Sequence, residues 1–328
     1  MGKEKYISAS RMKTLETCSW LYYGKYHLNL PDKTNDGAIR GSICHLVFEL
    51  LLEDKHKKHY DRIMEGKCTE SSEPVTRLVV KHLKKQNAFN EENFEMCMDM
   101  IVVGLKFDFY CEGSDLGESE LRFEIQNKEP EYRIMGFIDK HAIYDDEEKT
   151  IKIIDYKSSK AKFRGDDLTS NVQGMMYSLA ARHKWPEAKR RLVQFLFLRF
   201  PRQPIQELEF SDAELNGFEQ HLANVYKVIN NFNYEYAKSN FAKDNPKNNW
   251  LCGRGKWVCP HKNPYDYYVV LDKNERVVHT SYNDDLENLK KGQRVEKKRY
   301  EGCPRFYSAA DKNDDPFEIE KTEDPFDF

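Results

Sequence analysis

Hydrophobic positions recur with two different periods along this 328-residue chain. Near the N-terminus, "SASRMKTLETCSWLYYGKYHL" sets Met12, Leu15, Cys18 and Tyr22 at helical spacing behind serines able to cap a first turn. "GAIRGSICHLVFELLLEDKHKKH" repeats that period and predicts a second helix, and a third is expected over 91–109. The period then shortens to two. "LRFEIQ", "YRIMGFIDKHAIYD" and "TIKIIDYKSS" read as strands, with "DDEEK" as a turn. Helical spacing returns over 168–183, and "RRLVQFLFLRF" and "IQELEF" follow as strands. "SDAELNGFEQHLANVYKVINNF" then opens a long amphipathic helix with a capping box, Ser211 and Glu214. Beyond Trp250 the pattern loosens, although "DYYVVLDKNERVVHTSY" predicts a hairpin.

Helices, meandering strands, then helix, strand and helix predict an α/β chain with a mixed sheet flanked by helices, not a regular βαβ repeat. Four segments are expected. They are a helical N-terminal portion (1–120), a core (121–250), a cysteine-bearing segment with a hairpin insertion (251–304) and an acidic tail (305–328) that does not fold alone.

Composition changes this picture in three places. The apolar runs "IVVGL" and "LVQFLFL" are far too short to cross a bilayer, and the N-terminus lacks a signal-peptide core. A soluble, cytoplasmic or otherwise intracellular chain with no membrane partner is expected. Eight cysteines in such a chain do not suggest a disulfide scaffold. Cys44, Cys68, Cys97 and Cys111 sit in apolar helical patterns and read as buried side chains, whereas Cys18, Cys252, Cys259 and Cys303 have other surroundings. The net charge of −3 hides an uneven distribution, because the last eighteen residues hold eight acids and two lysines. The rest is mildly basic, with runs such as "KHLKK" and "KKGQRVEKKR" that read equally as solvated faces.

The chemistry lies at strand ends. Asp139 ends "RIMGFID" and Asp155 ends "IKIID" on the neighbouring segment. Two carboxylates brought together in a partly dry site repel, unless a divalent cation lies between them. Magnesium or manganese would take such oxygens, together with a backbone carbonyl. Lys157 follows Asp155 by two residues and so shares its strand face, where it can orient or help deprotonate a water, or offset charge on phosphate. On the second helix Gly41, His45 and Glu49 share a face. His45 is a candidate ligand there, and Gly41 permits a close approach of backbone or metal. Gln173 and Tyr177, again one turn apart, are either an ordinary polar stripe or hydrogen-bonding groups aimed at a phosphate or the lysine.

The succession "GSICH", "GFID", "IIDYKSS", "QGMMY" resembles the RecB-type nuclease branch of the PD-(D/E)xK superfamily. That branch includes the RecB and AddB nuclease domains, CRISPR-associated adaptation exonucleases and many viral exonucleases, the last of which act inside a host cell. The resemblance implies a restriction-endonuclease-like fold. It also implies metal ligation by His45, Asp139, Asp155 and the carbonyl of Tyr156, with Lys157 as catalytic lysine and Gln173 and Tyr177 as its support. The opening "SASRMKTLETCSWLYY" is similar to that of the family but has Ser19 where a proline is expected. In the family the opening cysteine joins three late ones around an iron–sulfur cluster. Cys18, Cys252, Cys259 and Cys303 are therefore candidate [4Fe–4S] ligands. Zinc, with His261 as a substitute ligand, and unmetallated cysteines are the alternatives.

The activity implied is a magnesium- or manganese-dependent deoxyribonuclease, an exonuclease on single-stranded DNA or duplex ends, serving recombination, repair or replication. Trp20, Tyr22, Tyr23 and Tyr26 are either base-stacking groups or helix core. Two alternatives belong to another class. One is a DNA-end-binding module with little or no nuclease activity. The other is a recruitment subunit whose acidic tail, ending "EDPFDF", engages a replication or recombination protein.

Overall fold

The computed structural model describes residues 5–32, 35–66, 73–253, 258–284 and 289–307. The acidic tail at 311–328, and Cys68, lie outside these residues. Elements are numbered in chain order. The chain opens with two short helices, α1 (Ala9–Thr17) and α2 (Ser19–Tyr26), where the sequence pattern predicts one. The break is Cys18, which is extended (φ −161°, ψ 111°) and accepts the Tyr22 N–H at 3.0 Å.

Helix α3 (Asp36–Leu52) is capped by Asn35, whose side chain accepts the Ala38 N–H at 3.0 Å. Three further helices follow: α4 (Lys58–Met64), α5 (Pro74–Lys85) and α6 (Glu91–Leu105). Helix α5 was not expected from the pattern. Proline at its first turn suits a helix start, and its buried Val75, Val79 and Leu83 follow the helical period.

The strands are β1 (Ser114–Leu116), β2 (Leu121–Lys128), β3 (Glu131–Ile138), β4 (Lys140–Tyr144), β5 (Ile151–Lys157), β6 (Arg191–Phe197) and β7 (Ile205–Glu209). They form a five-stranded sheet of order β1-β4-β5-β6-β7 and a separate ribbon of β2 with β3. Strands β5 and β6 are parallel, joined through α7 (Val172–Lys184), while β4 with β5 and β6 with β7 are antiparallel. The mixed α/β sheet expected from the sequence is therefore present. The expected single strand through "YRIMGFIDKHAIY" is in fact two, β3 and β4, in different sheets. Asp139 is the residue at which the chain passes from one to the other.

Strand alternation positions the site. Ile154 and Tyr156 of β5 enter the core shared with Ile43, Val47 and Phe48 of α3 and Ile101 of α6. Ile153, Asp155 and Lys157 take the opposite face, where Gln173 and Tyr177 of α7 meet them. After α8 (Asp212–Asn230), whose capping box forms as predicted, come α9 (Tyr234–Ala237) and a three-stranded sheet. That sheet has the order β10 (Arg294–Tyr300), β8 (Tyr265–Leu271), β9 (Val277–Ser281), and β8 with β9 is the expected hairpin.

Two compact units result: Met1–Ala9 with Thr34–Asn230, and Ser10–Lys33 with Asn231–Phe328. They cut across segment boundaries at 120 and 250. The reason is packing between distant parts of the second unit: Trp20 Nε1 donates to the Tyr300 hydroxyl at 2.7 Å, and the Tyr22 ring lies tilted against that of Phe232 with centroids 4.7 Å apart. Trp20 and Tyr22 are buried there, which removes them as base-stacking candidates; Tyr23 and Tyr26 are half-buried. Among the described residues, no helix is long and apolar enough to cross a membrane.

Candidate active site

Antiparallel register fixes the centre of the first unit. Lys140 pairs with Ile154, so the next position sets Asp139 opposite Asp155. On its other side, Leu121 pairs with Ile138, which sets Glu120 opposite Asp139. Three carboxylates thus lie in one row across the two sheets.

Their partners differ. Asp139 Oδ2 accepts the Tyr156 N–H at 2.9 Å and lies 3.5 Å from His45 Nδ1. His45 Nε2 donates to the Tyr156 carbonyl at 2.9 Å, since a carbonyl can only accept. Asp155 is 2 % exposed, and its Oδ1 accepts from Gln173 Nε2 and the Tyr177 hydroxyl, each at 2.8 Å. Its buried Oδ2 faces the Lys157 ammonium at 2.6 Å but accepts no directed hydrogen bond. Lys157 Nζ directs its hydrogen bond to Gln173 Oε1 at 2.7 Å. The acid and lysine are thus an ion pair, with Gln173 bridging both.

The electrostatics follow from this crowding. Burial pushes the Asp155 carboxyl up and Asp139 adds to it, while the Lys157 charge pulls it back. Burial alone would lower His45, but its hydrogen bond to Asp139 and the charges of Asp139 and Asp155 outweigh that and raise it to about 9. Burial and the Asp155 carboxylate hold Tyr177 well above the ordinary phenol value, so it stays a donor. For His45 and Asp155 alike, part of the shift comes from carboxylates crowded together.

A metal ion fits that crowding. The ligand atoms of His45, Glu120 and Asp139 lie within 4.8 Å of one another, and the Tyr156 carbonyl is held by His45 beside them; Asp155, opposite Asp139 and paired with Lys157, is outside that grouping. Sequence reasoning missed Glu120. Its signal was the glutamate just before "LRFEIQ", readable only once that strand is paired with "YRIMGFI" in register. Glu120 adopts left-handed backbone (φ 52°) and donates its N–H to the Asp139 carbonyl at 3.1 Å. Its side chain reaches solvent, yet partial burial and Asp139 raise its carboxyl. Gly41 does allow a close approach, but the neighbour is Ser158, whose Oγ would lie 2.6 Å from a Cβ there. A cavity on this side is lined by Gly41, His45, Glu49, Glu120 and Ser158.

In the second unit, Cys18, Cys252, Cys259 and Cys303 all line one small cavity, with His261 and Lys262. Burial, with the neighbouring cysteines, pushes the Cys259 and Cys303 thiols up to about 12. Among the described residues, no three of these sulfurs lie mutually within 4.8 Å. One zinc ion with Zn–S near 2.3 Å needs its sulfurs at about 3.8 Å from each other. His261 is buried, with Nδ1 2.8 Å from the Tyr265 hydroxyl and Nε2 unpartnered. Cys44, Cys97 and Cys111 are buried as expected.

A strand-end acid and lysine, a second acid across the sheet and a helical histidine on the intervening carbonyl meet here. The profile of the PD-(D/E)XK nuclease superfamily matches residues 6–263, and the chain belongs to that superfamily. A crystal structure from Eubacterium rectale, of a protein provisionally assigned as an exonuclease, is similar at 13% identity with a TM-score of 0.40. The likeness covers 68% of this chain and 78% of that one. No curated protein matches the sequence.

Proposed function

We propose that this nuclease is a magnesium- or manganese-dependent deoxyribonuclease, an exonuclease acting on single-stranded DNA or duplex ends. The observation that carries the reading is the convergence of His45, Glu120 and Asp139, with Asp155 opposite Asp139 across the strand pair. These four side chains and the Tyr156 carbonyl would hold the ion. When bound, it would neutralise charge on the scissile phosphate and lower the pKa of an adjacent water.

The chain's own residues do the positioning. Asp155 is fixed by two hydrogen bonds from α7, so its Oδ2 points one way without paying side-chain entropy in the complex. Lys157, held between Asp155 and Gln173, presents its remaining N–H donors to the attacking water or to a non-bridging phosphate oxygen. Tyr177 also lies 3.0 Å from the Phe137 carbonyl, which ties α7 to the strand leading into Asp139.

In the second unit, the four cysteines would hold a [4Fe–4S] cluster in a structural role, clamping α2 to the C-terminal cysteines. Cleavage of labelled oligonucleotides with magnesium or manganese tests the nuclease reading. Asp155→Asn and Lys157→Ala should each abolish cleavage while leaving the protein folded. Full activity in both variants sinks the reading, and DNA binding without any metal-dependent cleavage would favour the DNA-end-binding module instead.

A further inference from the structure

Two loops leave the sheet beside Lys157, and the stretch of each nearest the sheet lacks acidic residues. Strands β5 and β6 run parallel with Lys157 opposite Phe197, so both chains emerge at the same sheet edge. The Leu198 N–H bonds the Lys157 carbonyl at 2.9 Å there. After Lys157 come Lys160, Lys162 and Arg164, with no acid before Asp166; after Phe197 come Arg199 and Arg202, with no acid before Glu207.

The loops are fastened to each other. Lys162 Nζ donates to the Gln203 carbonyl at 2.6 Å, and Gln206 Oε1 accepts the Phe163 N–H at 3.0 Å. Gln206 Nε2 returns a bond to the Phe163 carbonyl at 3.2 Å, and the Phe163 ring meets Phe195 and Phe197 edge-on. The cations are thus set on an anchored surface next to the catalytic lysine.

They are also uncompensated. Elsewhere Arg182, Arg190, Arg191, Arg294, Arg299 and Arg305 each pair with a carboxylate. Among the described residues, Lys160, Arg164, Arg199 and Arg202 make no ion pair, not even with nearby Asp166, Asp167 or Glu207. Lys160, Arg164 and Arg202 are exposed. Like charges gathered without acids repel one another unless an anion crosses them. The carboxylates of the site, Glu49, Glu120 and Asp139, sit on the side of α3 and the β2–β3 ribbon, so the polarity changes across the catalytic residues.

We propose that these two loops form a phosphate track, along which the substrate strand runs away from the scissile bond. The proposal rests on the nuclease reading for its substrate and adds where that strand lies. Its contacts are to phosphates, so they position the strand without reading its bases.

The test is the salt dependence of oligonucleotide binding, by anisotropy with metal withheld. For single strands each phosphate contact contributes about 0.7 to the slope of log affinity against log salt. The triple variant Arg164→Gln/Arg199→Gln/Arg202→Gln should lower that slope by about 2. The same charge change on α5, Lys81→Gln/Lys84→Gln/Lys85→Gln, should leave it unaltered. An unchanged slope in the first variant, or an equal fall in both, overturns the track. Manganese-dependent hydrolysis of thymidine 5′-(p-nitrophenyl phosphate), which carries one phosphodiester and no strand to lie along the loops, should stay within about twofold of the unsubstituted protein. Failure of the unsubstituted protein to cleave it would count against the nuclease reading, a separate result from the slope.

Discussion

Gln173 accepts from Lys157 Nζ at 2.7 Å and so holds the lysine, while its own amide donates to Asp155 Oδ1 at 2.8 Å. One amide thus orients both halves of the acid–lysine pair, because only a group with donor and acceptor ends can face both. Glutamate lacks the donor end, and leucine has neither.

Gln173→Leu should therefore lower kcat about 10–100-fold, the usual scale for a group that orients metal-site residues, while KM changes little. The side chain is only half-buried, so stability should fall by about 1 kcal/mol or less. Gln173→Glu tests orientation against mere volume, because it keeps the size and the acceptor but brings a carboxylate against Asp155. Steady-state kinetics with both variants decides; wild-type kcat in both would refute the orienting role.

Glu120 lies opposite Asp139 and shares its metal-sized grouping, yet it makes no hydrogen bond to the acid–lysine pair. Glu120→Gln should consequently raise the magnesium or manganese concentration needed for half-maximal cleavage about tenfold. Activity at saturating metal should be largely retained. A metal titration of cleavage, paired with calorimetric metal binding, checks this. An unaltered metal requirement would leave Glu120 a bystander at the rim.

Much of this arrangement was readable from the chain, and the unread part has a common cause. Asp139, Asp155 and Lys157 stand out at the ends of apolar strands, and His45, Gln173 and Tyr177 on single helix faces, in the order the resemblance carries. Their meeting depends on register, which single-strand periodicity does not carry. Glu120 was missed for that reason: its role comes entirely from the pairing of Leu121 with Ile138. The break at Cys18 was missed because a helical spacing continues through it. Ser158 beneath Gly41 is likewise a tertiary contact that no local pattern announces.

The four cysteines lead to a third prediction, on metal content. Anaerobically purified protein should carry iron and sulfide and absorb visible light. Cys18→Ser and Cys303→Ser should each abolish that absorption and lower the melting temperature by several degrees, since a lost structural metal group removes folding free energy. A colourless wild type containing one zinc per chain would reverse the assignment in favour of a single ion.

Lys140 offers a prediction about stability and pH. Its side chain is buried, donating to the Phe109 carbonyl at 2.5 Å with the Phe109 ring 4.5 Å away. Burial lowers it from 10.5 to about 8, against the opposing influence of Cys111 and Asp108. Between about pH 8 and 10.5 the unfolded chain holds this proton and the folded one does not, so stability rises with pH across that window. Below pH 8 both states are charged and the burial penalty is complete, on the order of 3 kcal/mol. Lys140→Met removes that titration. The stability of the Met variant minus that of wild type should be greatest at pH 7 and should shrink by up to about 1.4 kcal/mol per pH unit above 8. Denaturant midpoints for both proteins at pH 7 and 9.5 measure it, with every other titrating group cancelling in the difference. A difference that does not vary with pH would mean that the lysine keeps an ordinary proton affinity despite its burial, held by the Phe109 carbonyl and ring.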